Sequence, residues 1–294
     1  MAVIQSNIYS QSQQTTRQMR TLQENKNSDV APPPYTPKIL LTSIRSTLGQ
    51  RVNQWLGKLG LKLVQSNPYE DYRDYIPLQK TIDDAKSQGL PLGDYIDIAF
   101  NVPGSTQLTI DKMRAIGVFD LPISQVCEIG PGTGRYLEKV MQIIQVKHYE
   151  IYETSEEWKN WLIQQYPVTP QVTDGCSLRQ TPDHCIDLMH THKVLAGQPS
   201  LTICSYLAEM ARVTKPSGKI VFDIVTENCM DDATLAAWWS EAGSYQHYPC
   251  LFPRQFAIDF LAGRDCKFDG SFIIPMKPGN TEYLVFTKKS GKPV

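Results

Sequence analysis

The chain has 294 residues, 41% of them hydrophobic, and its 29 Lys and Arg against 30 Asp and Glu leave a formal net charge of −1. That length and apolar share can bury at least one large core, and the balanced charge argues against a general nucleic-acid binder. Seven cysteines without a C-x-x-C pair spell neither a disulfide framework nor a zinc knuckle, which fits a reduced, cytoplasmic compartment.

The first twenty residues lack the apolar core of a secretory signal, and no apolar run reaches the roughly 18 residues of a membrane span. Residues 1–37, rich in Gln, Ser, Asn and Thr and ending in "APPPYTPK", bury too little apolar surface to offset their ordering entropy and read as a disordered leader. From 38 to 64, Leu41, Ile44, Leu48, Val52, Trp55 and Leu59 recur at helical steps, flanked by Lys38, Arg45, Arg51, Lys58 and Lys62. Such a basic amphipathic stretch can lie on an anionic inner membrane surface as a peripheral contact. Packing on its own domain is the simpler reading, because Gly49, Gly57 and Gly60 weaken a free-standing helix. Residues 38–120 together read as a helical cap, with breaks at Gly89-Leu90-Pro91 and Pro103-Gly104. Its Tyr69, Tyr72, Tyr75, Tyr95 and Phe100 can cover a site or pack between helices.

In the segment 121–290 strands and helices alternate, the pattern of a parallel sheet covered by helices. Strands are expected at 125–129, 148–153, 170–174, 185–190 and 218–225, and helices near 134–145, 155–166, 200–214, 231–242 and 253–262. "GSFIIPM" and "EYLVFTK", joined by "KPGNT", then read as an antiparallel hairpin.

The stretch "CEIGPGTG" sets a glycine turn between a strand and a helix, where a ligand can approach the backbone and meet free N–H groups. The spacing Gly130-x-Gly132-x-Gly134 is not that of dinucleotide binders, and Glu128, two residues before it, would repel a pyrophosphate and welcome a cation. Glu153 follows Gly134 by 19 residues, at the tip of the second strand, where an acid accepts from ribose hydroxyls. Asp174 and Gly175, in "TDG", close the third strand, where a carboxylate can take an amine proton of adenine.

On these residues the segment Gln125 to Lys288 resembles the class I S-adenosylmethionine-dependent methyltransferases. "CEIGPGTG" matches their first motif, "YEIYETS" the ribose-acid strand, and "TDGCSLRQTPDHCIDLM" the third strand, adenine loop and fourth strand. "LAEMARVTKPSGKIVFDI" matches the helix, turn and fifth strand, with Ser217 where the family often has glycine. The resemblance implies a Rossmann-like α/β fold: a seven-stranded, mostly parallel, doubly wound sheet with a C-terminal antiparallel hairpin, preceded by the helical cap. It implies S-adenosyl-L-methionine as cofactor, with Gly130, Gly132 and Gly134 against its methionine, Glu128 toward its ammonium, Glu153 on the ribose, and Asp174 and Gly175 on the adenine.

Methyl transfer from a sulfonium is an in-line displacement in which the protein supplies alignment, and a hydroxyl acceptor must also lose a proton. His190 and His192, at the carboxyl end of the fourth strand, are the candidate bases, and His192 is expected to leave the sheet and point into the cleft. Histidines two apart can also ligate a metal with a third partner such as Cys185 or Glu227, but no spacing fixes one, and no metal is expected. Glu227 is a second-rank acceptor contact, and Asp223 is expected within the fifth strand. The Asn/Asp-Pro-Pro-aromatic motif of methylases acting on planar amines is missing at His190 to Lys193, which shifts weight from nucleic-acid bases to the oxygen of a small metabolite or a glycan, lipid-linked or free. N-methylation, a nicotinamide-dependent oxidoreductase and a non-catalytic binding protein on the same fold stay open as alternatives. Oligomeric state is not legible.

Overall fold

The computed structural model describes residues 76–241, 250–277 and 279–290. The leader 1–37, the amphipathic stretch 38–64 and Tyr69, Tyr72 and Tyr75 lie outside the described residues.

Among the described residues three helices come first: α1 (Leu78–Ser87), α2 (Leu92–Phe100) and α3 (Ser105–Ala115). The breaks between them fall where the sequence suggested, with Gly89 after α1 and Gly104 before α3 both taking the left-handed conformation (φ +65° and +76°) that a side chain resists. Next come β1 (Gln125–Ile129), α4 (Arg135–Ile143), β2 (His148–Tyr152), α5 (Glu156–Gln165), β3 (Thr169–Pro170) and β4 (Ile186–Thr191). Then follow α6 (Ser200–Val213), β5 (Thr214–Ile224), α7 (Asp232–Glu241), α8 (Arg254–Ala262), β6 (Cys266–Met276) and β7 (Gly279–Lys288).

The seven strands stand in the order β3-β2-β1-β4-β5-β7-β6. The first five are mutually parallel, and β7 runs antiparallel to both β5 and β6. This is the expected mostly parallel sheet with its terminal hairpin. Strand alternation divides the core in two. Cys127, Ile129, Met189 and Phe222 face Leu207 and Met210 of α6, while Val126, Ile151, Leu188 and Val221 face Met113 of α3 and Leu137 of α4.

Two strands depart from the expected bounds. The third is two residues long and exposed, so Asp174 and Gly175 lie in the loop that follows rather than at a strand end. The fifth begins at Thr214, because the chain stays paired to β4 through a register shift between Ile186 and Leu188. Ser217 takes φ +67° in that irregularity, and Gly218 is pressed so close that a Cβ would lie 3.0 Å from the Asp187 carbonyl oxygen.

Candidate active site

The three glycines of the loop between β1 and α4 all have positive φ, but they face different surroundings. A Cβ on Gly130 would meet Val194 Cγ2 at 2.5 Å, and one on Gly134 would meet Leu162 Cδ2 at 2.8 Å. At Gly132 a Cβ would meet nothing within 4 Å. Gly130 and Gly134 are therefore packing glycines, and Gly132 opens onto free space.

Glu153, one residue past β2, is 6% exposed, and its carboxylate accepts from the Gly132 N–H (2.8 Å) and the Ser155 N–H (2.8 Å). Burial pushes its pKa up, against those backbone bonds. Asp174 closes a turn, accepting from the N–H of Cys176 (3.0 Å) and Ser177 (2.8 Å) and from the Ser177 hydroxyl (2.7 Å). The Ser177 hydroxyl, first among these donors, holds its pKa down at about 2.

Glu128 lies beneath the glycine loop. It is 1% exposed, and Tyr149 donates its hydroxyl proton to the Glu128 carboxylate at 2.6 Å. Desolvation raises its pKa to about 8. The same tyrosine oxygen is 2.9 Å from His190 Nε2, His190 Nδ1 is 2.9 Å from His192 Nε2, and His192 Nδ1 is 3.2 Å from the Tyr283 hydroxyl.

His192 sits one residue beyond β4 as expected, but its ring does not stand free in a cleft. It is 5% exposed and stacks on Tyr136, the centroids 3.8 Å apart, because the start of α4 covers the end of β4. Burial depresses both imidazoles, His190 to about 3, so both are neutral. The suggested third metal partners lie elsewhere: the Cys185 thiol donates to the Pro182 carbonyl and Glu227 accepts from the Arg254 N–H. Glu128 is the residue that joins the two histidines, offering a ligand atom within 4.8 Å of theirs.

Two groups escaped the sequence reading. Lys193 follows His192 in a left-handed conformation (φ +61°) that folds its side chain inward, and its amine is buried with no hydrogen-bond partner among the described residues. The Asp223 carboxylate stands 3.9 Å away, within β5 as expected, and accepts instead from the Lys193 N–H (2.7 Å) and the Thr281 hydroxyl (2.9 Å). Desolvation lowers the Lys193 pKa to about 8. The second is an ion pair between α2 and the first residue of α4, in which Arg135 Nη1 donates to Asp97 at 2.6 Å. Asp97 is 2% exposed and also accepts from the Thr106 N–H and hydroxyl, both at 2.8 Å. Neither a lysine after a histidine pair nor an aspartate in an amphipathic helix carries a sequence signal of its own.

A glycine turn after β1, an acid at the tip of β2 and this strand order define the class I nucleoside-binding α/β fold. A family model described as a methyltransferase domain matches residues 101–266, over half the chain, and the chain belongs to that family. It is an S-adenosylmethionine-dependent methyltransferase.

Solved structures agree in fold. Magnesium protoporphyrin IX methyltransferase from Synechocystis PCC 6803, with bound SAH, matches 74% of this chain and 97% of its own at 15% identity and a TM-score of 0.52. A protein from Haloferax volcanii, solved in complex with the Trm112 methyltransferase activator, matches 74% and 100% at 12% identity and a TM-score of 0.51. An O-methyltransferase family protein from Burkholderia thailandensis matches 72% and 63% at 15% identity and a TM-score of 0.50. In sequence, no curated protein matches the chain. Among the described residues no helix is long and apolar enough to cross a membrane.

Proposed function

We propose that the enzyme methylates an oxygen of a small metabolite or a glycan. The residues of the glycine loop fit the cofactor: Gly132 fronts open space, and the one carboxylate bonded to its N–H, Glu153, is held at the tip of β2. Gly130, Gly132 and Gly134 would hold the methionine, Glu153 the ribose, and Asp174 with the backbone of Gly175 the adenine. Glu128 would act on the ammonium from below the loop, not as an open carboxylate facing it. The bound cofactor supplies an activated methyl group on its sulfonium.

The observation that carries the oxygen reading is a neutral histidine pair, hydrogen-bonded to Tyr283, beside the buried amine of Lys193. A hydroxyl acceptor needs its proton removed as the new bond forms. Tyr283 and His192 offer a route for that proton, and the Lys193 ammonium would stabilise the negative charge gathering on the oxygen. An amine acceptor gives up its proton after transfer without such assistance, and so makes less use of this arrangement.

The test is mass spectrometry of a metabolite extract given the protein and S-adenosylmethionine. The expected product gains one methyl on oxygen, and His192→Ala slows its formation by about a hundredfold while S-adenosylhomocysteine affinity is kept. A methyl found on nitrogen, or equal rates in variant and parent, would overturn the reading.

A further inference from the structure

The five side chains from Glu128 to Tyr283 form a continuous file: carboxylate, phenol, imidazole, imidazole, phenol, with neighbours at 2.6, 2.9, 2.9 and 3.2 Å. Every ring nitrogen of both histidines has one partner within the file. All five lie on the same face of the sheet, on β1, β2, β4 and its extension, and β7, and none exceeds 5% exposure. Proton counting restricts how such a file can be filled.

Take Glu128 ionised. Tyr149 has a single proton and gives it to the carboxylate, so His190 must donate from Nε2 to the Tyr149 oxygen. A neutral His190 then has a bare Nδ1, so His192 donates from Nε2. His192 is left with a bare Nδ1, which accepts from Tyr283. Take Glu128 protonated instead, and each bond reverses: both histidines carry the proton on Nδ1, and the Tyr283 oxygen becomes an acceptor. The two fillings differ by one proton. Passing between them, Tyr283 takes a proton from outside, hands its own to His192, and each member passes one on until the last reaches Glu128. Four hydrogen bonds exchange roles, no heavy atom need move, and no imidazolium persists.

We infer that Glu128, Tyr149, His190, His192 and Tyr283 are a proton relay, joining the carboxylate under the glycine loop to the end of the sheet where Lys193 and Asp223 lie. In use it would start from the filling with Glu128 ionised, take the acceptor's proton at Tyr283 and store it on Glu128. That direction rests on the oxygen-methylation reading, whereas the file and its two fillings do not. Glu128 is faced by Tyr149 from β2, His190 from β4, Glu153 from the loop after β2 and Arg135 from the start of α4. His192 is faced by Tyr136 and Arg135 from α4, Tyr283 from β7, His190 from β4 and Lys193. The carboxylate is the member poised to change charge near neutrality, since burial brings it to about 8 and depresses both imidazoles.

Nitrogen NMR of the full chain labelled with 15N-histidine tests the relay without an acceptor, with His190→Gln and His192→Gln assigning the signals. Both histidines are expected as Nε2–H well above pH 8 and as Nδ1–H well below it, switching together with one midpoint. In Tyr149→Phe, which removes the link to the carboxylate, the joint switch should vanish. Opposite tautomers, Nε2–H on His190 with Nδ1–H on His192, would overturn the relay. Two lone pairs would then face each other across 2.9 Å, and a cation held there with Glu128 would appear in metal analysis of the purified protein. Tautomers that stay fixed across the pH range would overturn it equally. The wild-type spectra decide even if a variant misfolds, and none of these outcomes bears on whether an oxygen is methylated.

Discussion

Removal of one partner of the Arg135–Asp97 pair tests how the helices before the sheet are fixed to the cofactor loop. Arg135 is 8% and Asp97 2% exposed, and the guanidinium nitrogen stands 2.6 Å from the carboxylate. Gly93 of α2 lies so close that its Cβ would be 3.2 Å from Arg135 Cβ, so the two backbones are in near contact and water has little room to replace a lost side chain. Stripping one member from a buried pair generally costs about 3–5 kcal/mol, because the other is left charged and unpaired. Arg135→Leu should fall at the lower end, since Asp97 keeps three donors on Ser105 and Thr106. Asp97→Ala should cost more: it leaves the guanidinium only the neutral Asn101 amide oxygen in place of its carboxylate and also frees the Thr106 N–H at the start of α3, a capping loss of about 1 kcal/mol. Urea titration of each variant, with its thermal midpoint, measures this. At about 2–4 °C per kcal/mol for a domain near this size, Arg135→Leu is expected to melt roughly 6–12 °C lower. The double variant should lose less than the two singles added together. A loss under about 1 kcal/mol for Arg135→Leu, or strict additivity, would refute the buried-pair reasoning.

The glycines of the loop should separate by assay. Gly130→Ala, driven against Val194, should lower the melting point sharply, while Gly132→Ala, carrying only the left-handed strain of about 1–2 kcal/mol, should fold and bind S-adenosylhomocysteine at least about tenfold more weakly by calorimetry. Equal affinity in Gly132→Ala and parent would remove that glycine from the binding surface. Glu128 holds a proton in the folded state up to about pH 8 that the unfolded chain releases near 4.5. Its contribution to stability is therefore complete below 4.5 and is lost as pH rises to 8, with a slope of at most about 1.4 kcal/mol per pH unit. Glu128→Gln should flatten that stretch of the stability profile, and an unchanged slope would count against a protonated carboxyl. Lys193→Met removes an ammonium whose burial opposes folding at neutral pH and leaves Asp223 its two remaining donors. Its melting point at pH 7 is expected to equal or exceed the parent's while methyl transfer falls; a drop of more than about 5 °C, roughly 1–2.5 kcal/mol, would show that the 3.9 Å pair with Asp223 matters more than its length suggests.

The legibility of this chain follows how local each signal is. A glycine between an apolar strand and an amphipathic helix announces itself within ten residues, so the loop at Gly130 to Gly134, the strands around it and the terminal hairpin could all be placed from sequence. The third strand could not be bounded, because only Glu150 and Ile151 of β2 offer it partners and an edge strand has no alternation to betray its ends. Tyr149 and Tyr283 were invisible for a different reason. Each is an aromatic residue within an apolar strand, indistinguishable there from core, and its hydroxyl acquires meaning only when β1, β2, β4 and β7 align Glu128, His190 and His192 beside it. The same alignment changes what the legible residues mean. Read alone, Glu128 is an anion awaiting a cation and His192 a base awaiting a hydroxyl. Read together, with both buried and every polar atom between them engaged, they are two stations of one hydrogen-bonded file. Removing Tyr149, which contributes no charge at neutral pH, should then disturb both stations at once, whereas independent roles would leave His192 indifferent to it.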